Sequence, residues 1–194
     1  MIRRVLGDRR GATLVEFALI APVLLLLLMG LFDLCYRSYV QAILTGAVQQ
    51  AARRGTLEGN SKADTLAKMD ATVVAQMRPV ANNLTWESSR KFYRGFASIA
   101  PETFDDANHN NRYDPGECFS DINGNKRWDT DPGNDGQGGA NDVTVYTMRI
   151  TYPRLFPLSG LLGLPPTQEI SSTTALKNQP YGLQGVDAPE TICD

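Results

Sequence analysis

From Phe17 to Phe32 no residue carries a charge, and Leu24-Leu25-Leu26-Leu27-Leu28 forms the middle of the run. This is slightly shorter than the ~20 residues that a membrane-spanning helix prefers. Ala12-Thr13-Leu14-Val15 extends it on one side and Leu34-Cys35-Tyr36 on the other, so Glu16 and Asp33 bracket a usable span. Beyond it the apolar positions become one-sided. Val40, Ile43, Leu44, Ala47, Val48 and Ala51 recur at helical spacing, with Gln41, Gln49, Gln50 and Arg53 among them. The pattern predicts one long helix from about Leu14 to Arg54, with Gly55 just past its end. Apolar all round at first and amphipathic afterwards, it reads as a membrane anchor that continues into a packing surface.

A second helix follows. Asn60 or Ser61 can cap it, Asp64 can return the capping-box bond, and Leu66, Met69, Val73, Met77 and Val80 form its core stripe. Pro79 stops it at Arg78. Three stretches then read as strands: Leu84 to Phe96 as a strand or hairpin, Val143 to Tyr152, and Glu169 to Leu176. The fold class is α+β: a long N-terminal membrane-spanning helix, a second helix, and a small antiparallel sheet with an inserted acidic loop rich in Asp, Asn and Gly. The expected organisation is a basic leader over 1–11, the transmembrane and amphipathic helix over 12–55, and an exported domain over 56–194 with candidate calcium loops at 105–142.

Charge orients the chain. Arg3, Arg4, Arg9 and Arg10 precede the apolar run, against Asp8 alone. Positive flanks stay cytoplasmic, so the C-terminal side is exported. A cleaved secretory signal also has a basic start and an apolar core. Here no A-x-A site follows the leucines, no Leu-rich lipobox ends at Cys35, and the helical pattern runs on past the point of cleavage. The net charge of -2 offers no global basic field, so nucleic acid is not an expected partner.

A carboxylate at the edge of a membrane helix is costly and usually has a partner. Glu16 stands in the sequence Arg9-Arg10-Gly11-Ala12-Thr13-Leu14-Val15-Glu16-Phe17. This resembles the type IV prepilin cleavage motif, in which a peptidase cuts after a glycine and the fifth residue of the mature chain is glutamate. Phe17 is similar to the aromatic residue that follows the glutamate in the Flp branch. The run through Ala18-Leu19-Ile20-Ala21-Pro22 and the later Arg53-Arg54-Gly55 look like the TadE and TadG-like pseudopilins of tight-adherence pilus systems. Beyond Gly55 the resemblance is loose, resting on Tyr152-Pro153 and on Lys177-Asn178-Gln179-Pro180-Tyr181.

The resemblance implies removal of Met1–Gly11 by a prepilin peptidase, leaving Ala12 as the new N-terminus. Glu16 would then pair with the free amine of a neighbouring subunit. A plainer reading makes Glu16 an interfacial acid favoured by the helix dipole. The implied partners are the prepilin peptidase, other pilins, inner-membrane assembly proteins and membrane lipid. The implied location is the inner membrane, single-pass, with a cytoplasmic N-terminus and a periplasmic C-terminal domain, open to incorporation into an extracellular pilus.

Between the first two strands, Asp106, Asn108, Asn110, Asp114 and Glu117 fall at positions one, three, five, nine and twelve of a loop, with Arg112 at the carbonyl-donating position seven. Calcium loops gather six to eight oxygen ligands in this way. The order resembles an EF-hand-type or dockerin-type calcium loop, except that Asn111 stands where glycine is usual. Asn tolerates the left-handed conformation better than most residues. After fifteen residues the pattern returns in Asp121, Asn123, Asn125 and Asp129, with Lys126 at position six and Pro132 at position twelve. Asp131 or Asp135 is the expected substitute ligand there. The competing reading is a solvated loop of Asx-turns without metal.

Cys118 and Cys193 lie on the expected exported side, where disulfides persist, so they read either as a bridge or as two free thiols. No nucleophile–base pairing, phosphate-cradling glycine motif or serine elbow emerges, so no enzyme is expected. Two function classes compete: a minor pseudopilin of pilus assembly, and a membrane-tethered calcium-dependent adhesion or binding module.

Overall fold

The structure, a computed structural model, describes residues 11–55, 63–156, 160, 162–179 and 189–193. The basic leader, the cap candidates Asn60 and Ser61, and Pro180-Tyr181 lie outside the described residues, as does the Asp64 side chain. Helix α1 spans Ala12–Gly55 and runs through Pro22; α2 spans Ala63–Met77. Among the described residues six strands follow: β1 Thr85–Tyr93, β2 Phe119–Asp121, β3 Asn134–Asp135, β4 Val143–Pro153, β5 Thr167–Lys177 and β6 Glu190–Ile192. A long apolar helix, a second helix and a small antiparallel sheet are the observed architecture.

The main sheet has the order β3-β1-β4-β5 and is antiparallel throughout, with Ser88 opposite Met148 and Met148 opposite Ser172. Period-two alternation then decides its faces. Tyr146, Met148, Ile150 and Tyr152 of β4 turn inward with Ile170 of β5 and are buried. Arg149, Glu169 and Thr147 lie on the opposite face, where Arg149 pairs with Glu169. Helices cover the inner face: Val40, Leu44, Ala47, Val48 and Ala51 of α1 join Met69, Val73 and Met77 of α2 in one core with the β4 side chains. Each fully buried aliphatic side chain there contributes roughly 1.5–3 kcal/mol.

The first half of α1 has no such cover among the described residues. Leu14 to Leu27 are largely exposed, and the helix is long and apolar enough to cross a membrane. The change occurs at Asp33. Patterning places it as the bracket at the outer end of the span, but it is buried against the domain, where its Oδ2 pairs with Arg154 and accepts 2.7 Å from Gln168 Nε2. Oδ1 of Asp33 is buried with no hydrogen-bond partner among the described residues. Patterning does not reveal this lock, because the partners of Asp33 lie more than a hundred residues away.

Gly55 is the last helical residue rather than the one after it. Its carbonyl accepts 3.1 Å from Nε2 of buried Gln137, so a distant side chain caps the helix end. Asn178 holds Gln137 in turn by donating to the carbonyls of Gln137 and Gly139 at 2.8 and 2.9 Å. Leu84–Phe96 contains a single strand, not a hairpin: after β1 the chain makes only one turn of 3-10 helix at Phe96–Ser98.

Candidate functional site

At the start of α1, Glu16 is exposed and Phe17 beside it is exposed as well. Among the described residues nothing lies within 4 Å of the point where a Cβ on Gly11 would stand. Gly11 and Ala12 stand at the junction where helix begins.

The second candidate is the segment between β1 and β4. Its first repeat is built by short side chains folding back on the main chain. Asp106 Oδ1 accepts from Asn110 N at 3.0 Å and Oδ2 from Asn111 N at 2.7 Å. Asn108 and Asn110 both direct their side-chain amides to Asp114 Oδ2, at 2.8 and 2.6 Å. Asn110 Oδ1 accepts from Arg112 N at 2.7 Å. Three side chains therefore converge on one point, with the position-seven main chain tied to the same frame.

The second repeat reproduces this bond for bond. Asp121 accepts from Asn125 N at 3.2 Å and Lys126 N at 2.9 Å. Asn123 and Asn125 converge on Asp129 Oδ2 at 2.9 and 2.6 Å, and Arg127 N donates to Asn125 Oδ1 at 2.7 Å. Backbone conformation matches too. The sixth positions, Asn111 and Lys126, have φ of 58° and 61°, and the fourth positions, His109 and Gly124, have 60° and 80°. The turn thus imposes the left-handed conformation on a lysine and a histidine, which adopt it rarely.

The position-twelve role is filled in an unexpected way. In the first loop Glu117 accepts from Ala107 N at 3.1 Å and Asp114 N at 3.0 Å, one bond per carboxylate oxygen. In the second loop the equivalent amides, Ile122 N and Asp129 N, donate to Glu102 at 2.7 and 2.9 Å. Asp131 and Asp135 do not make these contacts. Asp131 is engaged by Tyr93 Oη at 2.7 Å and Lys91 Nζ at 2.5 Å, and Asp135 belongs to β3.

Glu102 stands fifteen residues before Glu117, so each repeat begins with a glutamate that closes the other repeat's loop. The exchange is reciprocal in the main chain as well. Asp105 N donates to Cys118 O and Ser120 N to Thr103 O, both at 2.8 Å, about a bridge between Phe104 and Phe119. Between the loops, Tyr113 and Trp128 stack at 4.9 Å, with Phe104 and Phe119 edge-on around them. A disulfide joins Cys118 to Cys193, and β2 pairs with β6, so the C-terminal tail is fastened to this module.

The electrostatics follow from these contacts. Hydrogen bonds from Asn108 and Asn110 hold the Asp114 carboxyl below the usual carboxylate range, helped by the Arg112 charge. Burial beside Asp131 pushes Tyr93 up to about 12. Among the described residues no three His, Cys, Asp or Glu side chains come together closely enough to form a metal-holding group by themselves. The side chains gathered here are instead carboxylates and amides, with the amide nitrogens of Asn108, Asn110, Asn123 and Asn125 turned to the Asp114 and Asp129 carboxylates.

Residues 11–53 match the family model described as TadE-like protein. Comparison of the chain with curated proteins and with solved structures finds no match.

Proposed function

We propose that this chain, whose TadE-like segment coincides with its apolar helix, is a minor pseudopilin of a tight-adherence pilus assembly system. The carrying observation is the coincidence of three features in α1: the Gly11-Ala12 junction, exposed Glu16 four residues into the helix, and an uncovered apolar span that becomes a packing surface after Asp33. In this reading a prepilin peptidase removes residues 1–11 on the cytoplasmic side, and the domain is displayed in the periplasm. Glu16 then meets the new amine of a neighbouring subunit, and Phe17 packs beside it. Nothing in this role requires catalysis by the chain itself.

Mass determination of the N-terminus, on protein recovered from membranes with an active pilus system, tests the reading. The expected mature chain begins at Ala12, and a bulky substitution at Gly11 blocks maturation. An intact Met1 in such material overturns it.

The paired loops favour a second component of function, calcium binding, which is also the centre of the alternative reading as a membrane-tethered adhesion module. Asp106, Asn108, Asn110, Asp114 and Glu117, with the Arg112 carbonyl, would hold one ion. Asp121, Asn123, Asn125, Asp129 and Glu102 would hold another. A cation would supply positive charge at the points where amide groups now meet Asp114 and Asp129. An affinity of about 10⁻⁴–10⁻³ M suffices outside the cytoplasm. At ten times the dissociation constant each ion adds roughly 1.4 kcal/mol to stability. Titration calorimetry and melts with calcium or chelator decide it. Equal melting temperatures and no binding heat return the loops to metal-free Asx-turns. Correct processing at Gly11 without calcium binding leaves the pseudopilin reading alone standing.

A further inference from the structure

The strongest unexplained feature lies where α1 meets the domain. Arg154 reaches across to Asp33, and next to it Phe156 stacks on Phe32 with ring centroids 6.3 Å apart. Phe32 is the last residue of the uncharged span. The loop that leaves β4 here is closed at its base, because Arg154 N donates to Pro166 O at 3.0 Å and Arg154 Nε to Pro165 O at 2.8 Å. Two contacts to α1 and two between Arg154 and Pro165-Pro166 therefore fix the two ends of the loop at the level where the span ends.

The described part of this loop is apolar and uncovered. Leu155 is 58% exposed and Leu162 55%, with Leu164 also exposed, and no charged residue occurs between Arg154 and Glu169. Phe32 of α1, exposed and stacked on Phe156, continues the same apolar surface. Contiguous exposed apolar patches on a soluble face usually mark a contact. We propose that Leu155, Leu162 and Leu164 form a second membrane contact, seated in the domain-side leaflet of the bilayer that α1 crosses.

The occupant follows from continuity and length. The loop's apolar surface adjoins that of the membrane helix rather than a groove or sheet edge. The uncharged run Phe17–Phe32 rises only about 24 Å at 1.5 Å per residue, short of the ~30 Å hydrocarbon core. A short span draws its flanks toward the bilayer. The flank on this side is the Phe32–Phe156 contact, which brings Leu155, Leu162 and Leu164 to the interface. Arg154 does not oppose this, because Asp33 neutralises it. The Asp33 pair would then set the angle at which the domain stands on the membrane.

The inference rests on reading α1 as the membrane anchor, and the test separates the two. The full chain, as Cys35→Ser with the Cys118–Cys193 bridge intact, is labelled with an environment-sensitive fluorophore at one new cysteine. The positions are Leu162→Cys, Leu25→Cys within the span, and Ser89→Cys on the exposed sheet face. Each is reconstituted in phosphatidylcholine–phosphatidylglycerol vesicles carrying spin-labelled lipids of graded depth. The expected result is strong quenching at Leu25 by deep labels. Leu162 should be quenched several-fold more than Ser89, and most by labels near the headgroups. Deep quenching at Leu25 with Leu162 indistinguishable from Ser89 overturns the leaflet contact and keeps the anchor. An unquenched Leu25 overturns both.

Discussion

Glu102 is the buried carboxylate that closes the second loop. It is 1% exposed, and both of its oxygens accept from main-chain amides of the second repeat. Its own carbonyl also accepts from Trp128 Nε1 at 2.8 Å, and its N–H donates to Asp129 O. Glu102→Ala strands Ile122 N and Asp129 N, and each unsatisfied buried group costs about 1–3 kcal/mol. The expected loss is about 3 kcal/mol in denaturant unfolding of the oxidised protein, and Glu117→Ala should lose less because its loop is more open to water. Asp70 is the other decisive residue. It is buried under the sheet and accepts from Arg90 Nη2 at 2.5 Å, Tyr146 Oη at 2.6 Å and Ser88 Oγ at 2.8 Å. Burial alone would raise its pKa, but these bonds and the Arg90 charge outweigh it and hold the pKa low. A depressed folded pKa means the stabilisation is complete above the ordinary value of about 3.9. It is lost as pH falls through the folded value. Asp70→Ala should therefore cost about 3 kcal/mol near neutral pH by leaving Arg90 unpaired in the interior. It should also flatten the acid limb of the stability profile, measured by melts between neutral pH and strong acid.

At the scale of elements, α1 has two distinct halves joined at Asp33. Removing one member of a buried ion pair is strongly destabilising, by about 3–5 kcal/mol, whereas replacing both by apolar groups is often neutral. Asp33→Ala should accordingly loosen the Arg154 loop and the adjacent end of β5, read as faster hydrogen exchange there. Asp33→Leu combined with Arg154→Met should restore protection, because it also removes the buried Oδ1 that has no partner among the described residues. This lock shows what sequence patterning reaches and what it does not. Periodicity in α1, α2 and β4 is legible because each repeats an apolar face over ten residues or more. The strands β2, β3 and β6 have only two or three residues each, too few for any period. The Asp33–Arg154 pair and the Gln137 cap on Gly55 join segments far apart in the chain and have no local signature. Glu102 does have one. The fifteen-residue repeat, carried back to Glu102 and Phe104, pairs them with Glu117 and Phe119; reading the second loop forward alone points to Asp131 and Asp135 instead.

For the whole molecule, the division of labour runs along the chain axis: an uncovered apolar helix at one end, a two-layer helix-and-sheet body, and a cross-linked pair of acidic loops. Among the described residues the first half of α1 is the long apolar surface without cover from the chain itself, so that half is what a bilayer or a neighbouring molecule has to cover. Glu16 is the one acid in its sequence. A carboxylate carried toward the centre of a bilayer is disfavoured by roughly 2.5–3.5 kcal/mol, so its removal should not hinder insertion. Glu16→Ala is therefore expected to reach the membrane in amounts equal to the parent and to be cut at Gly11 as efficiently. What it loses is the pairing with a neighbour's amine. A lost interaction of about 1.4 kcal/mol is a tenfold drop in association. The measurable outcome is at least that drop in co-purification with partner pilins from crosslinked membranes. Glu16→Asp should recover part of it, because the charge is kept and only its reach is shortened. Normal association of Glu16→Ala would return Glu16 to the plainer role of an acid beside the helix start, favoured there by the helix dipole.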